Sequence, residues 1–471
     1  MTIATGIGLS SAVPVVGSTT VLSSLVGYAD GALISTATPP ALWRLARGYV
    51  QIVATPRLAV SAAGGGAWIR DVASGAPGAS NVAAWYVNTA TGNDDNDGLT
   101  ALTSLASIQE FLYRLGSQPI DGYVVGIAYV YVAGDTAAPL TIDVKFSNDG
   151  GLAFVGTKTN LLTGQTISAV TAWNTTTGVV GSYTLTGAPV LTSHVGHFVR
   201  INAGARLGFK APIAKAISAG VFRASWADQN DGSAIEPVVA DTLDVYRVNA
   251  IAADIRIAGG PAGTAGGTIY FQDLDLGTPG SDHSVVVSSG QVSFVACVVH
   301  GLDFYEGVTS ATLSLCYVVE CRSYGFAEAM ACTFASVGGS ALAARGRGIF
   351  RVSSRCLIQG GGLTAGHALE GPGHLRCSAP AACVDYPSSA LLVFPGATAV
   401  LDDVLTARDA ASAPLAVQVM AGGGVFYASG KAPVIVGTAP TGDYKVGGTA
   451  KAKAAIPYFE TTNGAAVVVN Q

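Results

Sequence analysis

Between Ala253 and Ser378 one strand-like unit keeps returning: an apolar or cysteine residue, a second apolar residue two places on, then glycine or a polar turn. The runs are ADIRIAGG, QDLDLG, VACVVHG, SLCYVVE, MACTFAS, SRCLIQGG and LRCSAPA. Aligned, they place Ile255, Leu274, Cys297, Cys316, Cys332, Cys356 and Cys377 at equivalent positions, separated by 19, 23, 19, 16, 24 and 21 residues. Strand side chains alternate between two faces, so Ile255 and Ile257, Leu274 and Leu276, Cys297 and Val299, Cys316 and Val318, Cys332 and Phe334, and Cys356 and Ile358 are expected to point inward together. A unit of about 20 residues cannot bury such a face alone, whereas stacked units bury it continuously. The L-x-x-L-x-L frame of leucine-rich repeats is absent, and the abundance of Gly, Val, Thr and Ser disfavours helical repeats. The pattern predicts a parallel β-helix.

The same alternation says what points outward. If successive runs stack, Asp254 lies beside Asp273 and Arg256 beside Asp275, a charged cluster on a chain poor in charge. Carboxylates two residues apart on one strand face sit about 6 to 7 Å apart at the backbone. Asp273 and Asp275 are therefore candidate catalytic carboxylates at a separation glycosidases use, and Asp254 and Arg256 are candidate glycan ligands. The alternative is an Arg256–Asp275 ion pair beside a solvated aspartate pair. Farther along the same outward rows come Ala296/Val298, Leu315/Tyr317 and Ala331/Thr333. An apolar strip should not face water, so Val298, Leu315 and Tyr317 are expected at a subunit interface around a threefold axis. Coverage by loops of the same chain is the alternative.

The flanks break this pattern. Residues 1–25 show neither helical period nor alternation and read as an extended arm. Residues 26–80 read as a small β-rich module, with a strand candidate at 49–53, ending in a Gly/Ala/Pro/Ser linker at 72–80. Residues 81–440 are assigned to the β-helix, with irregular coils from 122 to 249, and 441–471 to a cap over its far end. At about 4.8 Å per coil, some 12 to 15 coils would make a rod on the order of 60 to 70 Å long. At the near end, Ser107 and Glu110 have capping-box spacing, and Leu105, Ile108, Phe111, Leu112 and Leu115 share one side of a helix that Gly116 stops. Such a helix can cover the open apolar end of the first coil.

That segment, WYVNTATGNDDNDGLTALTSLASIQEFLYRLG, resembles the start of the right-handed parallel β-helix of pectate-lyase-like proteins. The stretch from Gly27 to Asp71, ending GGGAWIRD, resembles the short β module ahead of that β-helix in bacteriophage tailspikes. The resemblance implies an all-β, right-handed parallel β-helix (a solenoid) with a short N-terminal capping helix and a small N-terminal β module. It further implies a homotrimer in the virion, made in the host cytoplasm, joined to other tail or capsid proteins through residues 1–75, and binding host surface polysaccharide. A polysaccharide depolymerase (hydrolase or lyase) on the same scaffold, or a purely structural virion surface protein, remains open beside it.

Composition sharpens this. Charged residues make up 12% of the 471, with 60 glycines and 49% hydrophobic residues, so much of the surface is expected to be covered by partners or copies. The net charge of −5, and the absence of lysine between Lys215 and Lys431, argue against nucleic acid. No leader is expected, because the uncharged first 29 residues have no basic start and their apolar runs are interrupted. No apolar run is long enough for membrane insertion. The seven cysteines, all between Cys297 and Cys383, read as small hydrophobes of the inner face. The turn at 92–98 places Asn93, Asp95 and Asp97 at calcium-loop spacing, but Ser104 stands where the bidentate glutamate belongs, so it reads as an acidic turn. His194 and His197 lack an evident third ligand, and Asp303, Glu306 and Glu320 read as a solvated loop. No metal and no cofactor is expected.

Overall fold

The structure is a computed structural model that describes most of residues 84–401, with separate strands of the N-terminal segment between 15 and 70 and of the segment after 401. The chain is all-β and winds as a right-handed parallel β-helix with three parallel sheets. A coil takes one strand from each sheet in turn, for example Thr268–Gln272, Leu274–Leu276 and then 285–287. The first sheet runs from Ala84–Asn88 through Thr268–Gln272 to Ala466–Val469. The second stacks Leu274–Leu276 under 298–299, then 317–319, 333–335 and 357–359. The third stacks 140–144, Ile255–Gly259, 285–287, 302–304, 321–323 and Leu342–Ala344.

This resolves the drifting period. Leu274, Cys297, Cys316, Cys332 and Cys356 do occupy one column, on the inner side of the second sheet or at its edge, and all are buried. Ile255 belongs to the third sheet, where it pairs with Leu140 and Val285. Cys377 belongs to the first, where it pairs with Val352 and Leu401. Both are buried, but neither is equivalent to the others. Ahead of the column, Asp273, Ala296, Leu315 and Ala331 have φ of 54, 51, 55 and 52°. In these four successive coils a left-handed residue turns the chain from the first sheet into the second, a conformation that disfavours a side chain and is repaid here by stacking. All seven cysteines are free thiols in the core, and burial pushes the Cys356 thiol up to about 12.

The inner face fills with aromatic rungs. Phe154, Phe271 and Phe294 are in register and stack at 5.3 and 5.2 Å. Phe111 of the helix Ile108–Gly116 meets Phe154 edge-on at 6.4 Å, so the helix closes the column. Leu105, Ile108, Phe111 and Leu112 are buried; the Leu115 side chain lies outside the described residues. The cap differs from the expected box. Ser107 Oγ accepts from the Glu110 N–H at 3.0 Å, but the Ser107 N–H goes to Asp94 Oδ1 at 2.9 Å, which also accepts from Ala106 N at 2.7 Å. Asn93 Oδ1 accepts from Asp95 N. The acidic turn is thus a helix latch, with Asp97 outside the described residues. Asp94→Ala is expected to cost about 1–2 kcal/mol, read as earlier loss of amide protection across 105–112 in hydrogen exchange.

The segment expected to form irregular coils departs most. After Gly151–Gly156 the chain leaves the β-helix and returns only at 249–251. Between, Lys158–Thr171, Ser182–Leu185, Phe198–Ala203, Lys210–Ser218, Val221–Ala224 and Thr242–Ile251 form a closed antiparallel ring. Lys158–Thr171 pairs with Thr242–Ile251 along one half and with Ser182–Leu185 along the other. The ring then continues through Val221–Ala224, Lys210–Ser218 and Phe198–Ala203 back to Thr242–Ile251. Register shifts at 160–165 let one long strand serve two neighbours. The small barrel has its own core, including Ile167, Tyr183, Val199, Ile213, Phe222, Trp226 and Val245, and closure leaves it no sheet edge. A Cβ on Gly156 would lie 2.0 Å from the Asp273 carbonyl oxygen, so the exit into the barrel requires glycine.

Of the N-terminal segment, five described strands form one sheet in the order Val15–Ser18, Leu33–Thr38, Pro40–Ala46, Ala67–Arg70, Ala59–Ser61. The strand candidate at 49–53, residues 1–14 and the linker lie outside the described residues. Strands Tyr444–Gly447 and Ala466–Val469 continue the parallel stacking. Among the described residues no helix is long and apolar enough to cross a membrane.

Candidate functional site

The expected charged cluster divides. Asp273 and Asp275 do not adjoin Asp254 and Arg256, because Ile255–Gly259 and Leu274–Leu276 lie in different sheets. Arg256 stands beside Thr141 and Val286, and Asp275 beside Ala250 and Val298. Asp273 is only 1% exposed. Its carboxylate meets Lys158 Nζ at 2.9 Å and Lys210 Nζ at 3.4 Å, and accepts from Gln272 Nε2 at 3.2 Å. Both lysines come from the barrel, so this carboxylate ties barrel to β-helix and is out of reach of a polymer. Burial pulls the Lys210 ammonium below its ordinary value, while Asp273 opposes that shift. Asp275 pairs instead with His300 Nε2 at 3.1 Å.

The apolar strip is also corrected. Val298, Leu315, Ala296 and Ala331 form a cluster with Phe198, Tyr246 and Val248 of the barrel, and Tyr317 packs against it. Farther up, Leu357 and Ala382 meet Trp173, Val180 and Ala214. The barrel lies along the outer side of the second sheet, so Val298, Leu315 and Tyr317 are covered by their own chain and not held for a second subunit. Burial pushes the Tyr317 hydroxyl up to about 12. His194 and His197 sit edge-on, ring centroids 6.2 Å apart. Among the described residues no group of His, Cys, Asp or Glu is placed to hold a metal ion.

Asp254 and Arg256 belong to a different constellation, on the outer side of the third sheet. Register there runs Arg256, Val286, Asp303, Arg322, so three charged residues share one column across four coils. Arg256 Nη2 lies 3.5 Å from Asp254, and Arg256 Nη1 donates to the His283 carbonyl at 3.0 Å. His283 Nδ1 bonds to Asp303 Oδ2. Arg322 Nη1 donates to the Asp282 carbonyl at 2.9 Å and lies 3.2 Å from His283 Nδ1 and 3.8 Å from Asp303 Oδ1. Its Nη2 reaches Glu320 at 3.3 Å and Asp282 at 3.7 Å. Asp303 and Glu320 are buried, contrary to the solvated-loop reading, and Glu320 turns the corner into its strand with φ of 56°. Arg322 is thus the pivot of three carboxylates, two of them buried beneath it, while Asp282 and the His283 ring face solvent.

Beside this column Tyr305 and Tyr324 stack at 5.5 Å and 14° between planes, with Tyr305 44% exposed and Glu306 exposed next to it. Here the geometry can accept hydroxyl donors on carboxylates, donate from Arg322 and His283, and offer an aromatic face to sugar C–H groups. Sequence reasoning missed His283, Arg322, Tyr305 and Tyr324. The signal was outward alternation in the third sheet, visible once each coil is known to hold three strands.

No family model matches this chain, and no curated relative matches it. Among solved structures it is similar to the tailspike protein gp49 of Acinetobacter baumannii bacteriophage Fri1, a capsular polysaccharide depolymerase, at 9% identity over 91% of this chain and 76% of that one, with a TM-score of 0.32. It is similar as well to the gp54 tailspike of A. baumannii bacteriophage AP22 in complex with capsular saccharide, at 12% identity over 73% of this chain and 72% of that one, TM-score 0.19. A complex of XylC with xylose is similar at 10% identity over 80% and 69%, TM-score 0.30.

Proposed function

We propose that the protein is a tailspike-like virion component whose outer third-sheet face binds a surface glycan. The observation that carries this reading is the solvent-facing Tyr305–Tyr324 stack beside the Asp282, His283, Arg322 column. With Asp254, Asp282, Asp303 and Glu320 against Arg256 and Arg322, acceptors outnumber cationic donors, which suits the hydroxyls of neutral or amino sugars over polyanionic chains. Residues 1–75 are assigned to attachment to the particle and three copies to the assembled spike, in keeping with 12% charged residues.

The test is binding of the purified chain to a panel of bacterial capsular and O-chain polysaccharides. Tyr305→Ala and Arg322→Ala are each expected to weaken the best binder at least about tenfold, in line with loss of an aromatic or charged anchor. Unchanged affinity in both variants would remove the site. A depolymerase on the same face is the second reading, favoured by one contact: the buried Asp303 carboxylate on His283 Nδ1, a pairing that orients an imidazole for proton transfer. Release of reducing ends or unsaturated sugars, abolished in Asp303→Asn, would establish it.

A further inference from the structure

Where the barrel rests on the second sheet, histidines gather at the seam from both sides. On the β-helix side Asp275, in the strand Leu274–Leu276, lies 3.1 Å from His300 Nε2, with 28% and 13% of the two side chains exposed. On the barrel side the short turn Thr192–His194 leads into His197, and the rings of His194 and His197 sit 6.2 Å apart. Between them Gly196 has φ of 86°, and a Cβ there would stand 3.5 Å from the Tyr317 ring. The loop backbone is therefore laid directly on the second sheet. The Ile213 N–H donates to the His197 carbonyl at 2.8 Å, and Phe198, the next residue, belongs to the apolar cluster that seats the barrel on Val298 and Leu315. What moves His197 moves that seat.

The ionisable groups that act on His197 come from three elements: His194 from its own loop, Arg247 from the barrel strand Thr242–Ile251, and Asp275 from the second sheet. The strand Lys210–Ser218 adjoins it through Ile213, which brings no charge. Arg247 is engaged by Asp135 at 3.0 Å, and Asp275 is already shared with His300. Burial first, and then His194, hold the His197 imidazole below its ordinary value, with Asp275 opposing them. A folded state that holds this proton less tightly than the unfolded chain binds fewer protons as the pH falls. The stability that the neutral ring contributes is therefore complete above about pH 6.5 and is lost below it. Acid adds imidazolium charge beside Arg247 against one shared carboxylate.

We propose that this seam is an acid-sensitive latch: charge on His194, His197 and His300 lifts the loop 192–197 from Tyr317, loosens the barrel on the second sheet and uncovers the apolar strip of Val298, Leu315 and Tyr317. An apolar strip that the chain covers at neutral pH is thereby offered to water or to a partner in acid. The latch stands apart from the third-sheet face and does not depend on glycan binding.

Fluorescence of the apolar dye anilinonaphthalene sulfonate with the full chain, and its thermal midpoint, test this between about pH 7.5 and about pH 5.5, above the range in which ordinary carboxylates titrate. Toward the acid end the dye is expected to brighten at least about threefold and the midpoint to fall by at least about 2 °C. His197→Gln cannot take the proton and is expected to keep its neutral-pH signal throughout. His374→Gln, at an exposed histidine of the first sheet, is expected to respond as the unaltered chain does. Asp275→Asn removes the counter-charge and is expected to move the rise to higher pH by roughly half a unit or more. A dye signal that stays flat in the unaltered chain overturns the proposal, as does a full rise in His197→Gln. If His197→Gln fails to fold, Asp275→Asn decides: a rise at the unaltered pH overturns the latch.

Discussion

Replacing Asp273 with alanine should destabilise the protein by about 3–5 kcal/mol, the usual cost of stripping one partner from a buried ion pair. The carboxylate is the counter-charge for Lys158 and Lys210 at 2.9 and 3.4 Å. Lys158 can swing partly into water, but Lys210 is buried in the barrel and is left facing an uncompensated cavity. Alanine also fits the left-handed turn at φ 54° less well than aspartate. The readout is a lower thermal midpoint together with early proteolysis between 157 and 249, because the lost pair joins barrel to β-helix. Asp273→Asn keeps the turn and costs less. Its pH dependence has a definite sign. Burial already lowers the Lys210 value in the folded state, and loss of the carboxylate lowers it further, so the unfolded state binds more protons. The asparagine variant therefore regains stability as pH rises from neutrality toward the ordinary lysine range, whereas a merely geometric defect would not respond.

Phe271→Ala is expected to cost a similar amount, about 3–5 kcal/mol. Its ring is fully buried and stacks between Phe154 and Phe294 at 5.3 and 5.2 Å, so truncation opens a cavity in the middle of a column. Coils couple mainly to their neighbours in a solenoid, and the damage should be local. Hydrogen exchange is predicted to show lost protection in Gly151–Gly156 and 291–295, with Ile349–Val352 retained. Uniform loss along the rod would mean that the stack is one cooperative unit instead.

The repeat, its inner face and the helix at the near end are legible in the residues themselves. Cys297, Cys316 and Cys332 each follow a left-handed residue, and with Cys356 each precedes an inward apolar partner two places on; a short repeat has few other ways to bury both. Ile255 and Cys377 fit the same local pattern yet join other columns, because alternation has a period of two in every strand and cannot say which of three sheets a strand enters. The same ambiguity sets Arg256 next to Asp275 in the aligned runs, when its neighbours are Thr141 and Val286. The barrel is not legible in this way although its hairpin turns are written plainly, as at Ala219 and Gly220, where Gly220 takes φ of 70°. Antiparallel pairing and parallel stacking use the same alternation, and the pairing partner is what differs.

By itself, then, the sequence determined the class of fold, the interior of the coils and the capping end, since those follow from local periodicity and from the need to bury apolar faces. Tertiary structure alone decided what lies over the outside. A run such as Val298, Leu315 and Tyr317 announces that it must be covered but not by what, and only the path of residues 157–248 reveals that the cover is the chain itself. Likewise Asp273 and Asp303 are both aspartates in strand-like runs of the sequence. One becomes the anchor of a buried barrel contact and the other a buried partner of His283 and Arg322, because burial and counter-charge are set by residues far away in the chain.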